Sequence, residues 1–167
     1  MNEPLPTNNA LTTTSPKVIL SVLLLIVLWV IQASYSIVLA ASADPTESLK
    51  ISRGKVVANK FCALCHGKNL EGQPNWRKRN DNGKLPAPPL NGTGHTWHHA
   101  DELLFGMIKE GIVPPYGPPN YKTDMPAWGT TLSDEDIWAV LAYIKSRWPA
   151  EAQKIQSEIN QESFKKL

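Results

Sequence analysis

The two cysteines of this chain, Cys62 and Cys65, stand three positions apart and are followed at once by His66, in the run Cys62-Ala63-Leu64-Cys65-His66. No other cysteine is present, so a disulfide framework of the kind that staples small secreted domains is excluded. C-x-x-C-H is the signature of covalent haem attachment. At the end of a helix, this spacing lets both thiols reach the two vinyl groups of one porphyrin and sets the histidine beneath the iron. Three other readings compete. A thioredoxin-like C-x-x-C wants a βαβ context, and a structural zinc site wants a second pair of ligands at suitable spacing. A disulfide across so short a loop would be strained and would leave His66 idle.

The length of 167 residues accommodates one ordinary core. Lys and Arg total 17 against 15 Asp and Glu, a balance that gives no ground for nucleic-acid binding. Near the N-terminus, a polar leader (1–16) precedes Lys17 and the apolar run Val18 to Ile31, with milder sequence to Ala41. A segment spanning 17–43 serves either as a transmembrane anchor, being slightly longer than the ~20 residues a spanning helix needs, or as a signal peptide with Ala41-Ser42-Ala43 as the cleavage site. The anchor is the favoured expectation. Gln32, Ser34, Tyr35 and Ser36 weaken the outer half of this segment. Lys17 puts the N-terminal side in the cytoplasm, and either reading exports residues 44 onward to the periplasmic side.

In the exported part, Thr46 is expected to cap a helix from Glu47 to Phe61, interrupted by Gly54. A mid-helix glycine costs roughly 1 kcal/mol against alanine and so asks for a packing reason, such as another helix crossing closely. Fourteen prolines and ten glycines, dense between Gly72 and Gly129, forecast long loops. Two helices interrupt or follow those loops. One opens at Asp101 and Glu102, carries Leu103, Leu104, Met107 and Ile108 at helical spacing, and stops at Gly111. The other begins with a capping box at Ser133 and Asp136, buries Ile137, Val140, Leu141 and Ile144 with Trp138 and Tyr143, and ends at Pro149. Residues 150–167 read as a polar tail with weak helical character.

From about Gly54 to Lys145 the sequence resembles the class I mono-haem cytochromes c. Gly54 stands eight positions before Cys62, Tyr143 lies in Ala142-Tyr143-Ile144-Lys145, Pro88-Pro89-Leu90-Asn91-Gly92 looks like the family's P-x-L-x-G loop, and Met125-Pro126 looks like its distal loop. Ala58 departs from the aromatic the family often has there. The resemblance implies an all-α cytochrome c fold, with three principal helices and long loops around one covalent haem, in a domain spanning 44–149 behind the membrane helix. It implies that Gly54 meets the aromatic of the last helix, that the Pro88 carbonyl accepts the Nδ1 proton of His66, and that His66 and Met125 are the axial ligands of the iron.

Other residues compete for the second axial position. Met107 lies on the apolar stripe of its own helix, where a core role is its plainer explanation. His95, His98 and His99 are close together in sequence, suiting either a bis-histidine haem or an accessory copper or zinc site. Trp76, Trp97, Trp128, Trp138 and Trp148 are apolar walls suited to a haem plane. Arg77, Lys78 and Arg79 form a solvated basic run, with propionate pairing or partner docking as alternatives. The expected function is a single-electron carrier that exchanges electrons with a membrane oxidase, reductase or dehydrogenase, and it is not itself an enzyme. An open sixth position would instead make a peroxidase or gas sensor, and a third reading makes the chain a haem subunit of a larger membrane oxidoreductase.

Overall fold

The computed structural model describes residues 15–40 and 42–165. Residues 1–14 of the leader, Ala41 of the candidate cleavage site and the last two residues of the tail lie outside the described residues. Among the described residues there are six α-helices and no strand. The chain divides into two compact units, 1–39 and 40–167.

In the first unit, helix α1 (Pro16–Ala40) has 25 residues. At 1.5 Å per residue this length exceeds ~30 Å of hydrocarbon. Its window Pro16–Ala33 has a mean hydropathy of 2.2 and no buried residue, which makes it the one helix among those described that is long and apolar enough to cross a membrane.

The second unit is built on two helices, α2 (Ser48–Phe61) and α5 (Asp134–Ser146). Ile137, Val140, Leu141 and Ile144 are all buried, so the apolar stripe legible in α5 is the floor of the core. Gly54 lies where the helices cross. A Cβ built there would stand 1.9 Å from the Ala139 carbonyl oxygen and 2.9 Å from Tyr143 Cβ, so only glycine permits this approach. The nearest partner is thus the α5 backbone, with the aromatic side chain beside it. Ala58, small where an aromatic was expected, is buried in the same core.

Local signals set most helix ends. Ser133 Oγ accepts from the Asp136 amide at 3.2 Å, which realises the N-cap half of the expected box of α5, while the Asp136 carboxylate accepts from the Ser133 hydroxyl at 3.2 Å. Gly111, with φ of +88°, ends α4 (Asp101–Glu110) as anticipated. Thr46 does not cap α2. Its amide and hydroxyl bond instead to Asp44 Oδ1 at 2.8 and 2.7 Å, an Asx turn that takes up the groups a cap would use, and Glu47 holds the cap position without a side-chain bond.

The tail is more ordered than its composition suggests. Residues Ala150–Phe164 form α6, which buries Ala152 and Gln156. Gln156 and Asn160 reach Asp101 at 2.7 and 2.9 Å, and the Asp101 carboxylate pairs at 2.7 and 2.9 Å with Lys145, whose side chain is only 8% exposed. Lys145 therefore has a specific buried carboxylate partner in addition to its place near the end of α5.

Candidate haem site

Helix α2 ends at Phe61 with Cys62 as its C-cap, and the next turn, α3 (Ala63–His66), carries the rest of the motif. Both thiols are free, Cys62 half-buried and Cys65 exposed. Burial, with the neighbouring Cys65 adding to it, pushes the Cys62 thiol up to about 11. A thiol of that kind is the opposite of the acidified nucleophile of a thioredoxin-like motif, and no βαβ unit is present among the described residues. Nor do three or more His, Cys, Asp or Glu side chains converge there to hold a metal ion.

His66 Nδ1 lies 2.8 Å from the Pro88 carbonyl oxygen. Because a carbonyl only accepts, the proton sits on Nδ1 and Nε2 keeps its lone pair, the tautomer a metal ligand needs. Burial holds His66 below the ordinary histidine range, partly opposed by the bond to Pro88, so the ring is neutral at neutral pH.

The Pro88 carbonyl is held in place from several directions. The Gly72 amide donates to the His66 carbonyl at 2.8 Å, the Gln73 amide to the Ala87 carbonyl at 2.9 Å, and the Leu90 amide to the Leu70 carbonyl at 2.8 Å. Trp148, 4% exposed just beyond α5, donates from Nε1 to the Leu90 carbonyl at 2.8 Å. Two glycines clasp the Pro88-Pro89 segment: a Cβ on Gly72 would fall 2.4 Å from Pro89 N, and one on Gly94 would fall 2.2 Å from the Pro89 oxygen. In the sequence Gly72 reads only as loop punctuation, and nothing singles out Gly94. No short-range signal marks them, since Gly72 stands sixteen positions before Pro88 and Gly94 five after Pro89.

Met125 lies on the loop between α4 and α5, partly buried, with its amide donating to Thr123 Oγ1 at 3.0 Å. Three residues on, the Trp128 and Gly129 amides donate to the Ile108 and Lys109 carbonyls at the end of α4, both at 2.9 Å. The Trp128 ring meets Phe61 edge to face at 5.4 Å, which links this loop to the helix that leads into the cysteines. Phe61, Leu90, Trp97, Met107 and Trp128 are partly buried against the core, an apolar set suited to a porphyrin plane. Met107 thus packs as its helical position suggested.

The three neighbouring histidines form no metal site among the described residues. Their rings are engaged with aromatic neighbours: His95 lies parallel to Trp76 at 6.0 Å and edge-on to His99 at 5.4 Å, and His98 stacks on Trp97 at 3.7 Å. Burial, then His95 and His98, lowers the pKa of His99. In the basic run, Arg77 stacks over Trp76 at 4.3 Å, and Arg79 donates to the Gly83 carbonyl at 2.6 Å.

A helical domain with paired free thiols, a neutral histidine of fixed tautomer and an apolar wall defines a c-type cytochrome domain. Residues 50–144, more than half of the chain, match the family model of cytochrome c oxidase, cbb3-type, subunit III. The chain belongs to this family of c-type cytochromes, which implies haem c with its iron and a role in electron transfer. No curated protein and no solved structure matches the chain.

Proposed function

We propose that the chain is a membrane-anchored single-electron carrier whose one haem is bound covalently through Cys62 and Cys65, with His66 and Met125 as axial ligands, and that it serves a cbb3-type oxidase on the outer side of the membrane. The observation that carries this reading is the 2.8 Å bond from His66 Nδ1 to the Pro88 carbonyl, which leaves Nε2 for the iron one residue after a pair of free thiols. Haem supplies the reversible ferric/ferrous couple, and a thioether opposite the histidine raises its potential. The protein's own part is to fix the ring of His66, present the Met125 loop and wall off water with Phe61, Leu90, Trp97 and Trp128.

An uncleaved anchor is supported from within the domain. Ala43, the last residue of the candidate cleavage site, is 1% exposed and belongs to the core, and the Lys50 ammonium donates to the Ser42 carbonyl at 3.0 Å. A cut after Ala43 would remove a core residue and a hydrogen-bond acceptor, an unfavourable place for a processing site. The domain of 44–149 is accordingly read with Ser42, Ala43 and α6 as parts of one folding unit.

The test is the visible and near-infrared spectrum of the purified holoprotein and of Met125→Ala. A weak ferric band near ~700 nm that vanishes in the variant establishes the sulfur ligand. Its absence from the wild type, with carbon monoxide binding readily to the reduced form, would replace the carrier with an open-site peroxidase or sensor.

A further inference from the structure

From Ser48 to Leu70 the chain contains five basic residues, Lys50, Arg53, Lys55, Lys60 and Lys68, and no acidic one. Eight of the domain's carboxylates stand at the openings of α4 and α5 and along α6, while Glu47 and Glu71 border this basic stretch, one at each end. Helix α2 and the turn that carries the cysteines thus form a basic stretch of the domain in which Lys50 and Arg53 are paired, with Glu47 and Asp136.

The surface there is concave. Lys55, Asn59, Ala63, Lys68, Asn69, Tyr143 and Arg147 line an open recess of about 480 Å³ at the corner between α2, the turn after His66 and the end of α5. Lys50, Arg53, Lys84, Lys109 and Lys145 each have a carboxylate partner, whereas Lys55, Lys68 and Arg147 have no ion pair among the described residues. Three cations thus border one hollow without an ion pair of their own, the Glu71 carboxylate of the same turn being bonded to the Asn69 backbone amide at 2.8 Å, and two side-chain amides beside them can donate to an oxyanion.

Beside the recess the surface turns apolar. Val56 is 68% exposed, Leu49 81% and Leu64 94%. Leu49 and Val56 are seven apart on α2, hence on one face, with Lys55 on one flank and Arg53 and Lys60 on the other. An isolated inorganic anion would have no use for those leucine and valine side chains. A protein surface that mixes carboxylates with apolar contacts would use both.

We propose that this recess and the adjoining face of α2 are the docking site for an acidic protein partner, whose carboxylates enter between Lys55, Lys68 and Arg147 while its apolar contacts cover Val56 and Leu64. Ala63, between the two cysteines, lines the recess, so a partner seated there lies against the haem attachment turn. That the partner exchanges electrons rests on the carrier reading. That it is acidic rests on the recess alone.

The experiment uses the full-length holoprotein in phosphatidylcholine nanodiscs at low salt, with fluorescein-labelled hexaglutamate as the probe and anisotropy as the readout. Saturable binding is expected, weakened about tenfold or more in Lys55→Gln/Lys68→Gln/Arg147→Gln, because each exposed pairing contributes a fraction of a kcal/mol. The matched triple Lys78→Gln/Lys122→Gln/Lys154→Gln, which removes equal charge elsewhere, is expected to stay within about twofold. Equal weakening by both triples, or no saturation in the wild type, overturns the site. The same holds if phosphatidylglycerol in the nanodisc displaces hexaglutamate and the recess triple abolishes that displacement, since the hollow is then a lipid site. Unchanged haem absorption shows that each variant is folded. The band near ~700 nm judges the carrier reading separately, so either idea can fail alone.

Discussion

The loop that meets His66 and the loop that carries Met125 are held in different ways. Between Leu70 and Gly94 the chain is bonded to the His66 turn, to itself and to buried Trp148, and two glycines leave the Pro88-Pro89 segment no room to shift. Around Met125 the hold is lighter: a bond to Thr123, an exposed ion pair of Lys84 with Asp124, and the Trp128-Gly129 attachment to α4 three residues away. Pro126 and Ala127, directly after the methionine, are exposed. The His66 ring is thus fixed by the core, while Met125 is kept near its place by contacts that a small change can adjust. Under the proposed ligation, tuning of the site is expected on the methionine side.

That contrast can be attacked at its base. Asp101→Ala leaves the buried Lys145 ammonium without its carboxylate, three residues before the Trp148 that anchors the His66 loop, and is expected to cost about 3–5 kcal/mol in chemical denaturation. A cost below 1 kcal/mol would mean that Lys145 finds water or another partner. Gly72→Val strikes the loop itself, because the residue has φ of +73° and its Cβ would press on the Pro88-Pro89 peptide. About 1–3 kcal/mol of destabilisation is expected, with a disturbed Soret band. Thr123→Val removes only the acceptor for the Met125 amide, and about 0.5–1.5 kcal/mol is expected, with the reduction potential moving more than the melting temperature. Should Thr123→Val destabilise as much as Gly72→Val, the two loops are equally held and the contrast fails.

The smallest effect concerns pH. His99 is held below the ordinary histidine range by burial and by repulsion from His95 and His98. A histidine whose folded pKa is depressed binds more protons when unfolded, so its contribution is complete above the unfolded value near ~6.5 and declines as pH falls below it. His99→Gln is therefore expected to flatten the loss of stability between pH 7 and pH 5, measured by denaturant midpoints in wild type and variant. An unchanged slope would assign that loss to other groups.

Much of the helical frame was legible because its signals are local. Gly111, Ser133 with Asp136, and the stripe of Ile137, Val140, Leu141 and Ile144 each act within a turn or two of their own position. Gly54 was legible for a further reason: a glycine inside a helix has a cost that only a close neighbour repays. Helix α6 was underestimated because it docks through Gln156 and Asn160, polar residues whose partner at Asp101 lies more than fifty positions away. Thr46 misled because Asp44 competes for the same hydrogen bonds. At the site, the Pro88 carbonyl was expected where it stands, yet the glycines and Trp148 that hold it there were not. Their role depends on distances across the fold, and no spacing within the sequence encodes those.

The close approach of Gly54 to Ala139 joins positions 85 residues apart, so forming it closes a long ring of chain. The entropy of such closure grows only with the logarithm of length, about 0.6 kcal/mol for each doubling. Once the two helices have met, lengthening or shortening the prolyl stretches between them therefore changes the ring's cost very little. A domain joined in this way can accept insertions between Asn75 and Gly83, or between Val113 and Tyr121, and still close on the same crossing. Its outer loops are free to diverge while the pair of helices beneath them stays in register.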